Sequence, residues 1–121
     1  MRIQGTTNLR LLMVNSTRCV QVVTTFPEEA LARGYAEAVV TLRLAACVQI
    51  EGPIQSWYRW EDRLTSAVEW RCVIKTTRVL LAALWQHTQE YHPYTVPQWV
   101  VSGFEGGSEA YFQWVCEQTL A

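Results

Sequence analysis

From Val68 to Lys75 the chain alternates without a break, with Val68, Trp70, Cys72 and Ile74 on one side and Glu69, Arg71, Val73 and Lys75 on the other. Side chains of a β-strand point to opposite faces with a period of two, so this octet reads as a strand with one dry face and one mostly wet face. A dry face has to be covered. The rest of the chain supplies what covers it and what pairs beside it.

Cys19–Thr25 is β-branched and alternating, a second strand signal. A further strand runs from Ala46 to Ile50, is interrupted at Gly52-Pro53 and resumes from Ile54 to Trp60; Pro53 lacks a donor and predicts a bend or bulge. Glu61-Asp62-Arg63 supplies the turn into the Val68–Thr76 strand, and Gln98–Ser102 is the last strand. Between them the period changes to 3.6. Leu31, Tyr35, Ala38, Val39 and Leu42 mark a helix from Glu28 to about Arg43, with Thr25 near its cap and Glu28 and Glu29 in its first turn, where the helix dipole favours acids. Gly34 lies inside it, which costs helix stability and predicts a close packing contact. Leu80, Leu81, Leu84 and Thr88 form the inner stripe of a second helix, Val79 to Tyr91, with Thr77 as its cap. After Gly106-Gly107, Ser108 caps a third helix marked by Tyr111, Phe112 and Val115. The order β-α-β-β-α-β-α predicts an α+β, ferredoxin-like split βαβ domain with an additional C-terminal helix.

At 121 residues this is one domain, assigned to residues 19–121. Residues 1–18, with Arg2, Arg10 and Arg18 but no sustained period, read as a loosely ordered extension, and Met13 is an alternative start. A net charge of −1 with no run of Lys or Arg argues against a nucleic-acid face or an electrostatic membrane anchor. No apolar stretch approaches a membrane span, and Leu11-Leu12-Met13-Val14 is too short for a signal peptide. The four cysteines form no CxxC pair, so free thiols in a reduced, cytoplasmic setting are expected. Trp57 falls on one side of its strand and Tyr58 and Trp60 on the other. Two helices cannot cover both aromatic faces, which points to an oligomer.

Four segments at this spacing, Arg43–Ile50, Ser56–Glu61, Lys75–Thr77 and His92–Pro97, resemble the CutA divalent-cation-tolerance family over Val20 to Ala121. The resemblance implies a homotrimer concerned with divalent metal tolerance, with weak binding of copper or another divalent cation and no required cofactor. It also allows, through the similar architecture of PII signalling trimers, a small-ligand sensor or an interaction scaffold. The metal candidates are His92 and Cys47. Copper-binding members carry a Cys and a His-His pair where this chain has Thr24, Tyr91 and His92, so only His92 of that set is a ligand type. Cys47 reads more readily as a small core residue than as a thiolate ligand, since its apolar neighbours include no Lys or His to lower its pKa. His92 is either a binding group or a histidine satisfied by the backbone, where Pro93 and Pro97 steer the chain. The resemblance further implies an intersubunit cleft lined by Tyr58, Trp60, Glu61, Lys75, His92 and Tyr94. With Lys75-Thr76-Thr77 read as an anion cradle, the expected occupant is a small anion.

No enzyme is expected. The loop after the first strand, Thr24-Thr25-Phe26-Pro27-Glu28, is not a glycine-rich phosphate loop, and the Val68–Thr76 strand has none of the glycine of an RNA-binding domain.

Overall fold

The computed structural model describes residues 15–120. The alternating run at the start becomes strand β1 (Cys19–Phe26), followed by helix α1 (Glu29–Thr41), strands β2 (Cys47–Trp60) and β3 (Arg63–Thr77), helix α2 (Leu81–Tyr91), strand β4 (Trp99–Gly103) and helix α3 (Glu109–Gln118). One four-stranded sheet forms in the order β2-β3-β1-β4, every neighbouring pair antiparallel. β1 and β2 both oppose β3, so they run parallel with β3 between them.

Period-two burial decides the two faces. On one face Val22 and Phe26 of β1 and Cys72 and Ile74 of β3 are fully buried against Ala32, Tyr35 and Val39 of α1 and Leu84 of α2, with Val20 buried on the same face of β1. Each such aliphatic or aromatic side chain contributes roughly 1.5–3 kcal/mol when withdrawn from water. Hydroxyls buried there are bonded, as one pair shows. Tyr35 Oη lies 2.7 Å from Thr88 Oγ1, which itself donates to the Leu84 carbonyl at 2.7 Å. Gly34 is the close contact its position announced: a Cβ there would lie 2.7 Å from Tyr91 Oη. On the opposite face α3 sets Phe112 and Val115 against Cys19 and Ala46. The rest of that face lies outside this second cluster.

Ser108 caps α3 by accepting from the Tyr111 amide at 3.3 Å. The other two expected caps fail. Glu28, not Thr25, precedes α1 and makes no side-chain cap bond. Thr77 precedes a 3-10 turn (Arg78–Leu80), and its buried hydroxyl finds no partner among the described residues. Leu42, expected on the inner stripe, lies beyond the end of α1 and is exposed.

β3 is longer than the alternation suggested, starting at Arg63 instead of Val68. β2 and β3 join through Glu61 and Asp62, both left-handed (φ 51° and 61°), the two-residue turn whose twist matches its strands. The anticipated irregularity at Gly52-Pro53 is a bulge: Glu51 pairs with Arg71 but Ile54 pairs with Glu69. One extra residue in β2 reverses which side chains face the helices. Val48 and Ile50 share a face with Ile74 and Cys72, whereas beyond the bulge Tyr58 and Trp60 share the other face, with Thr65 and Arg63. β1 meets β3 only from Thr77 back to Trp70, so among the described residues Arg63–Glu69 pairs with β2 alone.

Of the N-terminal extension, residues 1–14 lie outside the described residues. Residues 15–18 are helical, with Asn15 and Ser16 buried, and Arg78 Nε donates to the Thr17 carbonyl at 2.6 Å.

Candidate ligand cleft

His92 ends α2 in an extended conformation, its amide donating to the Thr88 carbonyl at 2.8 Å. Its ring is then laid on Phe26, with centroids 4.4 Å apart and planes 18° from parallel. Nδ1 accepts from the Tyr94 amide at 3.1 Å, which leaves the proton on Nε2; that nitrogen donates to the Thr25 carbonyl at 2.8 Å, with Thr24 Oγ1 at 3.3 Å. Burial lowers its pKa, only partly offset by the Thr25 carbonyl and the Glu69 charge. His92 is thus a neutral, backbone-satisfied imidazole.

Thr24 and His92, two of the three positions matched to copper ligands, do meet. The third does not join them: Tyr91 Oη donates to the Leu31 carbonyl at 2.8 Å. A hydroxyl in place of a thiolate, beside an imidazole with both nitrogens engaged, does not fit a thiolate–imidazole copper site. Cys47, the other metal candidate, is not brought to His92. It lies across the sheet at the start of β2, directly opposite Lys75. Strand pairing therefore gives Cys47 the lysine neighbour that its sequence surroundings lack. Among the described residues, no three His, Cys, Asp or Glu side chains are grouped to hold a metal ion.

The loop after α2 does something its sequence did not announce. It carries Tyr94 to the sheet face opposite the helices, where Tyr94 Oη donates to Glu69 Oε2 at 2.9 Å. Burial, and then that hydrogen-bonded carboxylate, raise the Tyr94 pKa above the ordinary phenol value. Glu69 is only 8% exposed, although the alternation had put it on the wet side. Beside this pair opens a cavity of about 750 Å³, walled by Tyr58, Trp60 and Tyr94 with Thr25, Ser56 and Gln98 among its polar groups.

Three of the six expected cleft residues, Tyr58, Trp60 and Tyr94, therefore come together. Glu61, Lys75 and His92 are not in this wall. Glu61 sits in the hairpin turn, His92 is turned inward onto Phe26, and Lys75 Nζ donates to Gln21 Oε1 at 2.7 Å. Burial lowers the Lys75 pKa, with Cys47 and Glu51 pushing the other way. Glu69 is the acidic wall residue that the sequence did not single out.

An α+β chain on a four-stranded antiparallel sheet, with an aromatic cleft where a long hairpin leaves the sheet, is the class these features define. Residues 20–118 match the family model described as CutA1 divalent ion tolerance protein. The divalent-cation tolerance protein CutA of Thermus thermophilus is 38% identical over 98 residues, which is 81% of this chain and 95% of that one. Human protein CutA is 38% identical over 95 residues, 78% of this chain and 53% of its own length, so this chain spans little more than half of that relative. The crystal structure of CutA1 from Oryza sativa superposes with a TM-score of 0.84 at 31% identity, covering 88% of this chain and 97% of that one. The chain belongs to the CutA1 divalent-ion tolerance family.

Proposed function

We propose that the protein works in the cytoplasm as a homotrimer of ferredoxin-like, split βαβ subunits that takes part in divalent-cation tolerance, by binding and not by catalysing a reaction. The strand order and the parallel β1 and β2 flanking β3 support the fold name. The observation that carries the assembly is the bare edge of the hairpin. Arg63–Glu69 has β2 on one side and no strand on the other among the described residues, and its apolar side chains stand out, Leu64 74% and Val68 54% exposed. Trp57, on the paired strand and on the same face as Leu64 and Val68, is 63% exposed. An unpaired edge with apolar side chains is a template for another strand, and further copies of the same hairpin are suited to cover it.

Contact with copper or another divalent cation is weak in this reading, because His92 is spent on the backbone and Cys47 stands apart from it. The cleft favours a second role beside the first, that of a small-ligand sensor resembling PII trimers in architecture.

Sedimentation velocity tests the assembly. The expected species has three times the chain mass of 13.9 kDa, and Leu64→Lys with Trp57→Glu shifts it toward monomer. A monodisperse monomer at micromolar concentration would refute the trimer. Calorimetric titration of Cu²⁺ is expected to give weak binding that is unchanged in His92→Asn. Tight binding at one site per chain, lost in that variant, would restore a dedicated metal site at His92.

A further inference from the structure

We infer that the cleft takes a small organic cation, an alkylammonium or quaternary ammonium group, in place of the anion that Lys75 had suggested. The inference rests on reading the cleft as a ligand site and adds the sign of the ligand's charge. The formal charge of the wall is decided by one residue. Among the described residues, Glu69 lines the cavity and no Lys, Arg or His does. Its carboxylate is almost wholly withdrawn from solvent, and its one hydrogen bond among the described residues comes from a neutral phenol, Tyr94.

Among the described residues of this chain, the two cations next along the strand face of Glu69 have their charged ends bonded elsewhere. Arg71, two residues along the same strand face, pairs with Glu51 at 3.3 Å, and Lys75 donates to Gln21. His92 beside Tyr94 is neutral by its hydrogen bonds. A buried carboxylate without a countercharge is expensive, and a cation entering the cavity supplies one.

The rest of the wall selects the kind of cation. Tyr58, Trp60 and Tyr94 present ring systems whose negative faces attract a positive group and repel an anion. A metal dication needs several oxygen ligands and strips its water reluctantly, and one carboxylate among aromatic rings does not replace that shell. An ammonium carrying carbon substituents uses both parts of the wall: its charge meets Glu69 and its methyl or methylene groups meet the rings. A cavity of about 750 Å³ accommodates such a group with a substituent attached. Tyr94 has a positioning part, holding Glu69 Oε2 in place through its hydroxyl.

The test is calorimetric titration of the full chain with tetramethylammonium chloride, tert-butanol as a neutral group of similar size, and sodium malonate as an anion. Sedimentation is run on every sample. Tetramethylammonium is expected to saturate at one site per chain, and tert-butanol to bind more weakly by about tenfold. Glu69→Gln keeps the shape and an acceptor for Tyr94, and is expected to weaken tetramethylammonium by about tenfold without affecting tert-butanol. Trp60→Leu, at the exposed rim, weakens it independently should the Gln variant fold poorly. Equal binding of tert-butanol, or an unaffected Gln variant in its normal assembly, would overturn the charge argument. Saturable binding of malonate alone would overturn the cation while keeping the cleft as a ligand site. Binding of none of the three probes would remove the ligand site itself, and the sedimentation result decides separately whether the trimer stands.

Discussion

Replacing Gly34 with Ala sets two effects of known size against each other. In the interior of α1 the change removes the backbone-entropy cost of glycine and should stabilise by about 1 kcal/mol. The new methyl would lie 2.7 Å from Tyr91 Oη, too close for any real contact, while the ring carbon behind that oxygen stays 3.8 Å away. Tyr91 cannot simply swing aside. Its ring packs edge-on to Phe26 at 5.9 Å and parallel to His87 at 6.4 Å, and its hydroxyl donates to the Leu31 carbonyl. Displacing it forfeits a hydrogen bond worth ~1 kcal/mol and overpacks the site by roughly 1–3 kcal/mol. Gly34→Ala is therefore expected to destabilise by about 1–3 kcal/mol net. In a Tyr91→Phe background the obstructing atom is gone, and the same substitution should stabilise by about 1 kcal/mol. The double-mutant cycle then shows a coupling of about 2–4 kcal/mol. Guanidinium unfolding followed by tryptophan fluorescence measures it, with all four chains at one protein concentration because assembly makes the midpoint concentration-dependent. If Gly34→Ala stabilises equally in both backgrounds, Tyr91 does not limit the site and the reason given for this glycine is wrong.

Thr88→Val tests the core hydroxyl pair. Thr88 donates to the Leu84 carbonyl, so the Tyr35 proton must go to Thr88; removing the acceptor leaves a buried phenol unpaired and costs about 1–3 kcal/mol, which adding Tyr35→Phe should largely recover. No recovery in the double variant would mean that the pair contributes nothing beyond packing. His92 sets a pH dependence. Its folded pKa lies below the ordinary 6.5, so from pH 6.5 downward to the folded value the unfolded chain binds more protons, and stability falls as pH falls, by at most about 1.4 kcal/mol per pH unit. Above pH 6.5 the ring is neutral in both states and contributes no slope. In His92→Gln the slope across that window should be shallower, read from denaturation midpoints at stepped pH; an unchanged slope would show that His92 is not what titrates.

Much of the fold was readable because it rests on local periodicity. Val20, Val22, Cys72 and Ile74 announce a buried face by alternation, and Tyr35, Val39 and Leu84 announce the helical stripes that cover it. Gly34 announced its own contact without naming Tyr91, because the two are joined only through the packing of α1 on α2. What periodicity does not reveal is where the cover stops. At Trp70 the partner strand β1 ends, so Val68, in phase with Cys72, is exposed, and Glu69, in phase with Arg71, is buried. Thr77 failed as a cap because the chain enters a 3-10 turn first.

The cleft was half-legible for a related reason. Tyr58, Trp60 and Tyr94 stand out by composition, and Pro53 signalled an irregularity in β2. That one residue of extra length also sets the face on which the later aromatics stand requires the register: Glu51 opposite Arg71, then Ile54 opposite Glu69. With an unbroken register, Tyr58 and Trp60 would share the face of Ile50 and the helices, and no aromatic wall would stand beside Glu69. The bulge and the loop from His92 to Tyr94 act together, one turning the rings toward the open face and the other bringing a phenol onto the carboxylate from 25 positions away. Lys75 is brought to the same face by its own parity, but its level along the strand is that of Cys47 and Gln21, where its ammonium is already engaged. The sign of charge inside the cleft thus follows from strand register and not from which charged residues lie near the aromatics in sequence.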